Sequence, residues 1–186
     1  MRNFLYNKES HFNLANLFTF GNISFGLVAI FFITHSLFFW AALFAWLGGA
    51  FDIFDGKIAR KQNLSTEFGV QLDSFADSLS FVLVPVMFIY FAIFDKAEWY
   101  LELIAGMALI YYYICGIRRL IIFNINSDAG KVSKFFVGVP TPLGAILLWI
   151  YYLLWYFSLL TNPAILLLLI IITGFLLNSK VKIPHP

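Results

Sequence analysis

Six apolar runs separated by polar breaks organise the chain, at approximately 15–34, 37–60, 70–93, 100–123, 137–158 and 162–178. Each is close to the ~20 residues that a helix needs to cross a hydrocarbon core. The pattern predicts an all-α, polytopic membrane protein with six transmembrane helices. Breaks after the odd-numbered runs are short, around His35-Ser36, Asp95-Lys96-Ala97-Glu98 and Thr161-Asn162-Pro163. Those on the other side are longer and basic, and 126–133 is a polar connection expected to be mobile.

Composition excludes a soluble fold. Hydrophobic residues make up 61% of the chain and charged ones 12%, more apolar surface than 186 residues could hide from water. That length suits one domain, 1–186. The lone Cys115 rules out an internal disulfide framework or a cysteine metal cluster. The polar start MRNFLYNKESHFN precedes an apolar run too long for a cleaved leader, so the first helix is expected in the mature protein. The 23 phenylalanines suit a lipid-facing surface, with Tyr151, Tyr152 and Trp155 expected near the interfaces.

Charge supplies the topology. With six spans, Arg2, Lys8, Lys57, Arg60, Lys61, Arg118, Arg119, Lys131, Lys134, Lys180 and Lys182 fall on one side and Lys96 alone on the other. The positive-inside rule then makes both termini cytoplasmic, in a multi-pass protein of the cell membrane. Membrane lipid is the expected surroundings, and the net charge of +2 gives no reason to expect a nucleic-acid partner.

Four acids break the apolar pattern. From Asp52 the chain reads D-I-F-D-G-K-I-A-R and, eight residues later, G-V-Q-L-D-S-F-A-D, ending at Asp77. Asp52 and Asp55 are spaced i,i+3 and Asp73 and Asp77 i,i+4, so each pair shares a helix face. Ionisable groups in membrane segments are costly and point to function. The simpler reading, helix-end carboxylates without a metal, does not account for two such pairs at one cytoplasmic end. Oxygen donors select hard cations, so Mg²⁺ or Mn²⁺ is expected and Ca²⁺ is compatible. Gly56 and Ala59 keep a groove open beside the acids, and Arg60 offers a planar fork for phosphate oxygens. With three acids on metal, the fourth can accept a proton from an attacking hydroxyl. These parts describe phosphoryl-group transfer at a membrane surface.

The run resembles the signature of the CDP-alcohol phosphotransferases, D-x2-D-G-x2-A-R-x8-G-x3-D-x3-D, with every fixed position filled. The resemblance implies a six-helix core with the site on spans two and three. It implies that Asp52, Asp55, Asp73 and Asp77 bind metal and that Asp77 is the general base, the catalytic residue. It also implies that the cytidine diphosphate end of the donor lies among Asp52, Asp55, Gly56, Ala59, Arg60, Gly69 and Asp73. Thr19 and Asn22, polar on the first span, either bond across helices or line the nucleotide pocket; the second is the expectation.

Further stretches resemble the serine-accepting members: N-L-F-T-F-G-N-I-S-F-G (16–26), E-F-G-V-Q-L-D-S-F-A-D-S-L-S-F around Ser74 and Ser78, and C-G-I-R-R-L-I-I-F-N (115–124) with F-V-G-V-P-T-P (136–142). Here Ile122 stands where their pattern has its second arginine, and Arg118 adds one beside Arg119. The resemblance implies CDP-diacylglycerol as donor, L-serine as acceptor, CMP as product and a homodimer. Arg118, Arg119 and Lys134 are the acceptor-binding candidates; the simpler reading of each is a topology-setting charge. Gly138, Pro140 and Pro142 either start a helix or shape the acceptor pocket. The chain stops where many members continue with additional helices. Glycerol 3-phosphate or inositol phosphate as acceptor stays open, and a cation transporter is the alternative from another class. Cys115 and Tyr111-Tyr112-Tyr113 read as packing residues.

Overall fold

The computed structural model describes residues 5–6, 10–62, 64, 66–128, 135–179 and 182–184; the side chains of Arg60, 126–128, 135–137 and 182–184 lie outside that description. So do Arg2, Lys8, Lys131, Lys134 and Lys180. The described chain is helical: α1 (Leu14–Thr34), α2 (Phe38–Lys61), α3 (Glu67–Phe94), α4 (Trp99–Asp128), α5 (Thr141–Tyr156) and α6 (Pro163–Leu177). One short antiparallel pair, β1 (Phe135–Val137) with β2 (Lys182–Pro184), is an addition to the all-helical expectation. Its register sets Phe135 opposite Pro184 and Val137 opposite Lys182.

Among the described residues, four helices are long and apolar enough to cross a membrane: Leu14–Thr34, Phe38–Ala59, Glu67–Phe94 and Trp99–Ile125. The last two, α5 and α6, have 16 and 15 residues and are shorter than the expected runs 137–158 and 162–178. Local chemistry explains the late start of α5. Gly138 takes φ +89, the left-handed region, where a Cβ would stand 2.8 Å from the Leu177 carbonyl oxygen. Pro140 then occupies the N-cap and Pro142 the first turn, where a missing N–H costs nothing. At α6, Asn162 caps the Ala164 amide at 2.9 Å and Pro163 opens the helix. By contrast, α4 runs on to Asp128, into the stretch expected as a connection; 129–134 lies outside the described residues.

Contacts divide the chain into two compact units, 1–80 and 81–186. In the first, α1 and α2 form a tight hairpin about His35-Ser36, with Ser36 at φ 58. Phe25 lies between Phe44 and Phe51, ring centroids 5.9 and 4.8 Å away. Asn13 caps α1 by accepting from the Asn16 amide at 3.0 Å, and Thr66 caps α3 by accepting from the Gly69 amide at 3.0 Å. Immediately after Asp77, α3 widens into a π turn over Ser78–Leu83. Pro85 follows, a residue with no N–H for the regular ladder.

In the second unit, Tyr112, Leu148, Leu166, Ile170 and Leu177 form a core of fully buried side chains. Gly174 accepts the Tyr111 ring, and Gly116 sits against Val82, where a Cβ would be 2.6 Å from a methyl group. Cys115 and Tyr112 are packing residues, as expected. Tyr151 is buried, and its hydroxyl shares a 2.9 Å hydrogen bond with Thr173. Tyr152 instead stands edge-on to Phe88, with ring centroids 4.7 Å apart. Large apolar side chains such as Phe39, Trp99 and Leu159 are about three-quarters exposed, an arrangement suited to hydrocarbon and not to water.

Candidate active site

The acids lie within the first unit, near the C-terminal end of α2 and in the first half of α3. Their spacing does what helix geometry predicts. Asp52, Asp55 and Asp73 each present a carboxylate oxygen, and the three oxygens lie within 4.8 Å of one another. Asp55 is almost fully buried, and its Oδ2 has no hydrogen-bond partner. The same holds for Oδ1 of Asp77, whose carboxylate lies within hydrogen-bonding reach of Asp52. Converging carboxylates, with buried oxygens of Asp55 and Asp77 left unpartnered, repel one another and invite a cation. The donor set is all oxygen, which fits Mg²⁺, Mn²⁺ or Ca²⁺ better than zinc.

Beside the acids lies a groove of about 170 Å³. It is lined by Thr19 from α1, by Asp55, Gly56 and Ala59 from α2, and by Gly69 and Asp73 from α3. Each of these was expected at the site. Gly56 is what keeps the groove open, since a Cβ there would meet nothing within 4 Å. Gly69 works the other way: a Cβ there would stand 3.0 Å from Asn16 Oδ1 and 3.3 Å from Thr66 Oγ1. It lets the start of α3 approach α1. Thr19 is buried, its hydroxyl donating to the Ala15 carbonyl at 3.3 Å and lying within reach of Asp55.

Asn16, Leu64 and Thr66 also line the groove and were not anticipated. Thr66 had a legible signal, a threonine immediately before the acid-bearing helix α3, the usual place of a cap. Asn22 is placed differently from the other candidates. It is fully buried behind the acids, where its Nδ2 points to Asp52 Oδ1 at 3.4 Å and its Oδ1 accepts from Ser80 at 2.6 Å. Arg60 continues α2 one turn past Gly56, but its side chain lies outside the described residues.

The acceptor candidates belong to the second unit. Arg119 is buried on α4 and donates through Nε to the Val139 carbonyl at 3.1 Å. Arg118 reaches Asn178 Oδ1 at 2.7 Å, and Asn178 Nδ2 donates to the Cys115 carbonyl at 3.2 Å. Lys134 lies outside the described residues.

The described residues are mainly helical and suited to a membrane, and their acid cluster, which could hold a metal ion, lies beside a small groove. Residues 12–176 match the CDP-alcohol phosphatidyltransferase family, and the chain belongs to that family of enzymes. Among relatives it is similar to the CDP-diacylglycerol–serine O-phosphatidyltransferase of Bacillus subtilis, 35% identical over 91% of this chain and 88% of the relative. It is 32% identical to the protein of that name from Methanocaldococcus jannaschii, over 92% of this chain and 73% of the relative. The archaetidylserine synthase of Methanothermobacter thermautotrophicus is 31% identical over 78% of this chain and 58% of the relative.

Proposed function

We propose that this protein transfers a phosphatidyl group from CDP-diacylglycerol, or its ether-lipid counterpart, to the hydroxyl of L-serine, releasing CMP. The observation that carries the reading is the meeting of Asp52, Asp55 and Asp73 oxygens within 4.8 Å beside a groove that Gly56 leaves open. The names of the similar proteins support serine as the acceptor. Mg²⁺ or Mn²⁺, held by Asp52, Asp55 and Asp73 with Asp77 adjoining, would neutralise the diphosphate and the charge that develops on the departing CMP.

The chain's own groups then divide the work. Asp52, Asp55, Gly56, Ala59, Gly69 and Asp73, with Thr19, form the cradle for the cytidine diphosphate end, and Arg60 holds a phosphate oxygen. Asp77 takes the proton of the serine hydroxyl. The serine oxygen bonds to the lipid-side phosphorus, and the bond from that phosphorus to the CMP oxygen breaks. Configuration at phosphorus inverts in a single in-line transfer. Arg119, assisted by Arg118 and Lys134, receives the serine carboxylate.

In this reading residues 1–186 act as one catalytic domain, a homodimer with six spans, both termini cytoplasmic and the acids facing the cytoplasm of the cell membrane. Helices α5 and α6 provide the two short spans, with flanking residues completing the crossing. The test offers purified protein CDP-diacylglycerol and Mn²⁺ with serine, glycerol 3-phosphate or inositol phosphate in parallel. CMP release with serine alone is the expected result. Release only with a phosphorylated alcohol would reassign the acceptor, and no release from folded protein with any of them would overturn the enzyme reading.

A further inference from the structure

Three polar residues from three helices meet beside the acid cluster, Ser80 among them unanticipated. Ser80 on α3 donates to Asn22 Oδ1 on α1 at 2.6 Å, and Asn22 Nδ2 points to Asp52 Oδ1 on α2 at 3.4 Å. Asn22 is fully buried and Ser80 nearly so, so water does not take the place of either partner. The direction of the chain is fixed by chemistry. An ionised carboxylate only accepts, so the amide must turn its NH₂ to Asp52 and its carbonyl oxygen to Ser80. The Ser80 hydroxyl must then donate.

Other serines on these helices spend that donor differently. Ser24 and Ser78 give theirs to carbonyls of their own helix, Phe20 at 2.8 Å and Phe75 at 2.7 Å. Ser80, within the π turn that follows Asp77, gives its own across helices. Space for the arrangement comes from two glycines. A Cβ at Gly48 would stand 3.1 Å from Asn22 Oδ1, and one at Gly26 would stand 3.2 Å from Ser80 Oγ.

We infer that Ser80 and Asn22 are positioning residues which hold the Asp52 carboxylate in its metal-binding orientation, a one-way relay from Ser80 through Asn22 to Asp52. Partners behind a metal ligand fix its orientation, and their loss typically weakens metal affinity 10–100-fold. The inference rests on the metal reading of the acid cluster. It gives Asn22 a task behind the site instead of in the nucleotide groove.

The test is Mn²⁺ binding to purified protein without substrates, read as the loss of the free-Mn²⁺ electron paramagnetic resonance signal. Ser80→Ala is expected to weaken Mn²⁺ binding about tenfold or more. Ser80→Thr keeps the donor and should stay within about twofold of the unaltered protein. Should Ser80→Ala not fold, Ser80→Cys, of similar shape and a weak donor, takes its place with the same expectation. Ser24→Ala removes a hydroxyl that bonds only locally and should leave binding unchanged. Unchanged Mn²⁺ affinity in folded Ser80→Ala or Ser80→Cys would overturn the relay alone. Equal losses in Ser80→Thr or Ser24→Ala would mark a general loss of packing and also overturn it. Unaltered protein that binds no Mn²⁺ would overturn the metal reading and the relay together.

Discussion

Two glycines of the signature do opposite jobs, and substitution separates them. At Gly56 an added methyl group meets open space, so Gly56→Ala should leave thermal stability within a degree or two. The same methyl group enters the groove, and KM for the CDP-lipid should rise while KM for serine holds. A comparable rise in both would remove Gly56 from the donor site. Asp77 is tested by Asp77→Asn, which keeps the shape of the side chain but cannot take a proton. The rate of CMP release should fall by roughly 10²–10⁴, with Mn²⁺ binding retained. Loss of Mn²⁺ binding along with the rate would move Asp77 from proton acceptor to metal ligand.

Helices make their demands through caps and close approaches. In the second unit Gly116 faces Val82, and Gly116→Ala places a carbon 2.6 Å from a Val82 methyl group. Overpacking of this kind costs about 1–3 kcal/mol, and thermal denaturation in detergent should show a clear drop. An unchanged midpoint would mean that the helices slide apart without cost.

At this scale much was legible in the chain. Apolar runs located α1 to α3 to within three residues because each is bounded by a polar break or a cap, whereas α4 runs past its expected end at 123 to Asp128. The start of α5 was not legible. Residues 137–140 are as apolar as a helix, and only the left-handed Gly138 and the pairing of β1 with β2 make them extended. That pairing joins segments more than forty positions apart, beyond any local pattern. The groove side of the site was read from spacing, since i,i+3 and i,i+4 fix a face. Ser80 was hidden because serine in an apolar helix ordinarily bonds to its own backbone, and nothing local signals that its partner is on another helix.

For the whole molecule, the decisive quantity is orientation. The proposed topology predicts that a cysteine at Lys96 reacts with a membrane-impermeant maleimide added to intact cells, in a protein whose Cys115 is replaced by alanine. A cysteine at Lys61 should react only after the membrane is opened. The reverse pattern would turn the acids away from the cytoplasm and from the cytosolic pool of serine. Metal removal acts at the same level. Excess EDTA should abolish CMP release, and Mn²⁺ or Mg²⁺ added back should restore it; activity that survives chelation would sever the acid cluster from the chemistry.

The strand pairing of Lys182–Pro184 with Phe135–Val137 has a practical consequence. Residues near the C-terminal end of this sequence fasten the loop whose Val139 carbonyl receives Arg119. Changes to 182–184 therefore act on a structural element. The same geometry permits complementation in trans. A protein ended at Ser179 should bind serine poorly, and a synthetic peptide spanning 180–186 should restore its affinity, much as a clasp supplied separately closes a strap.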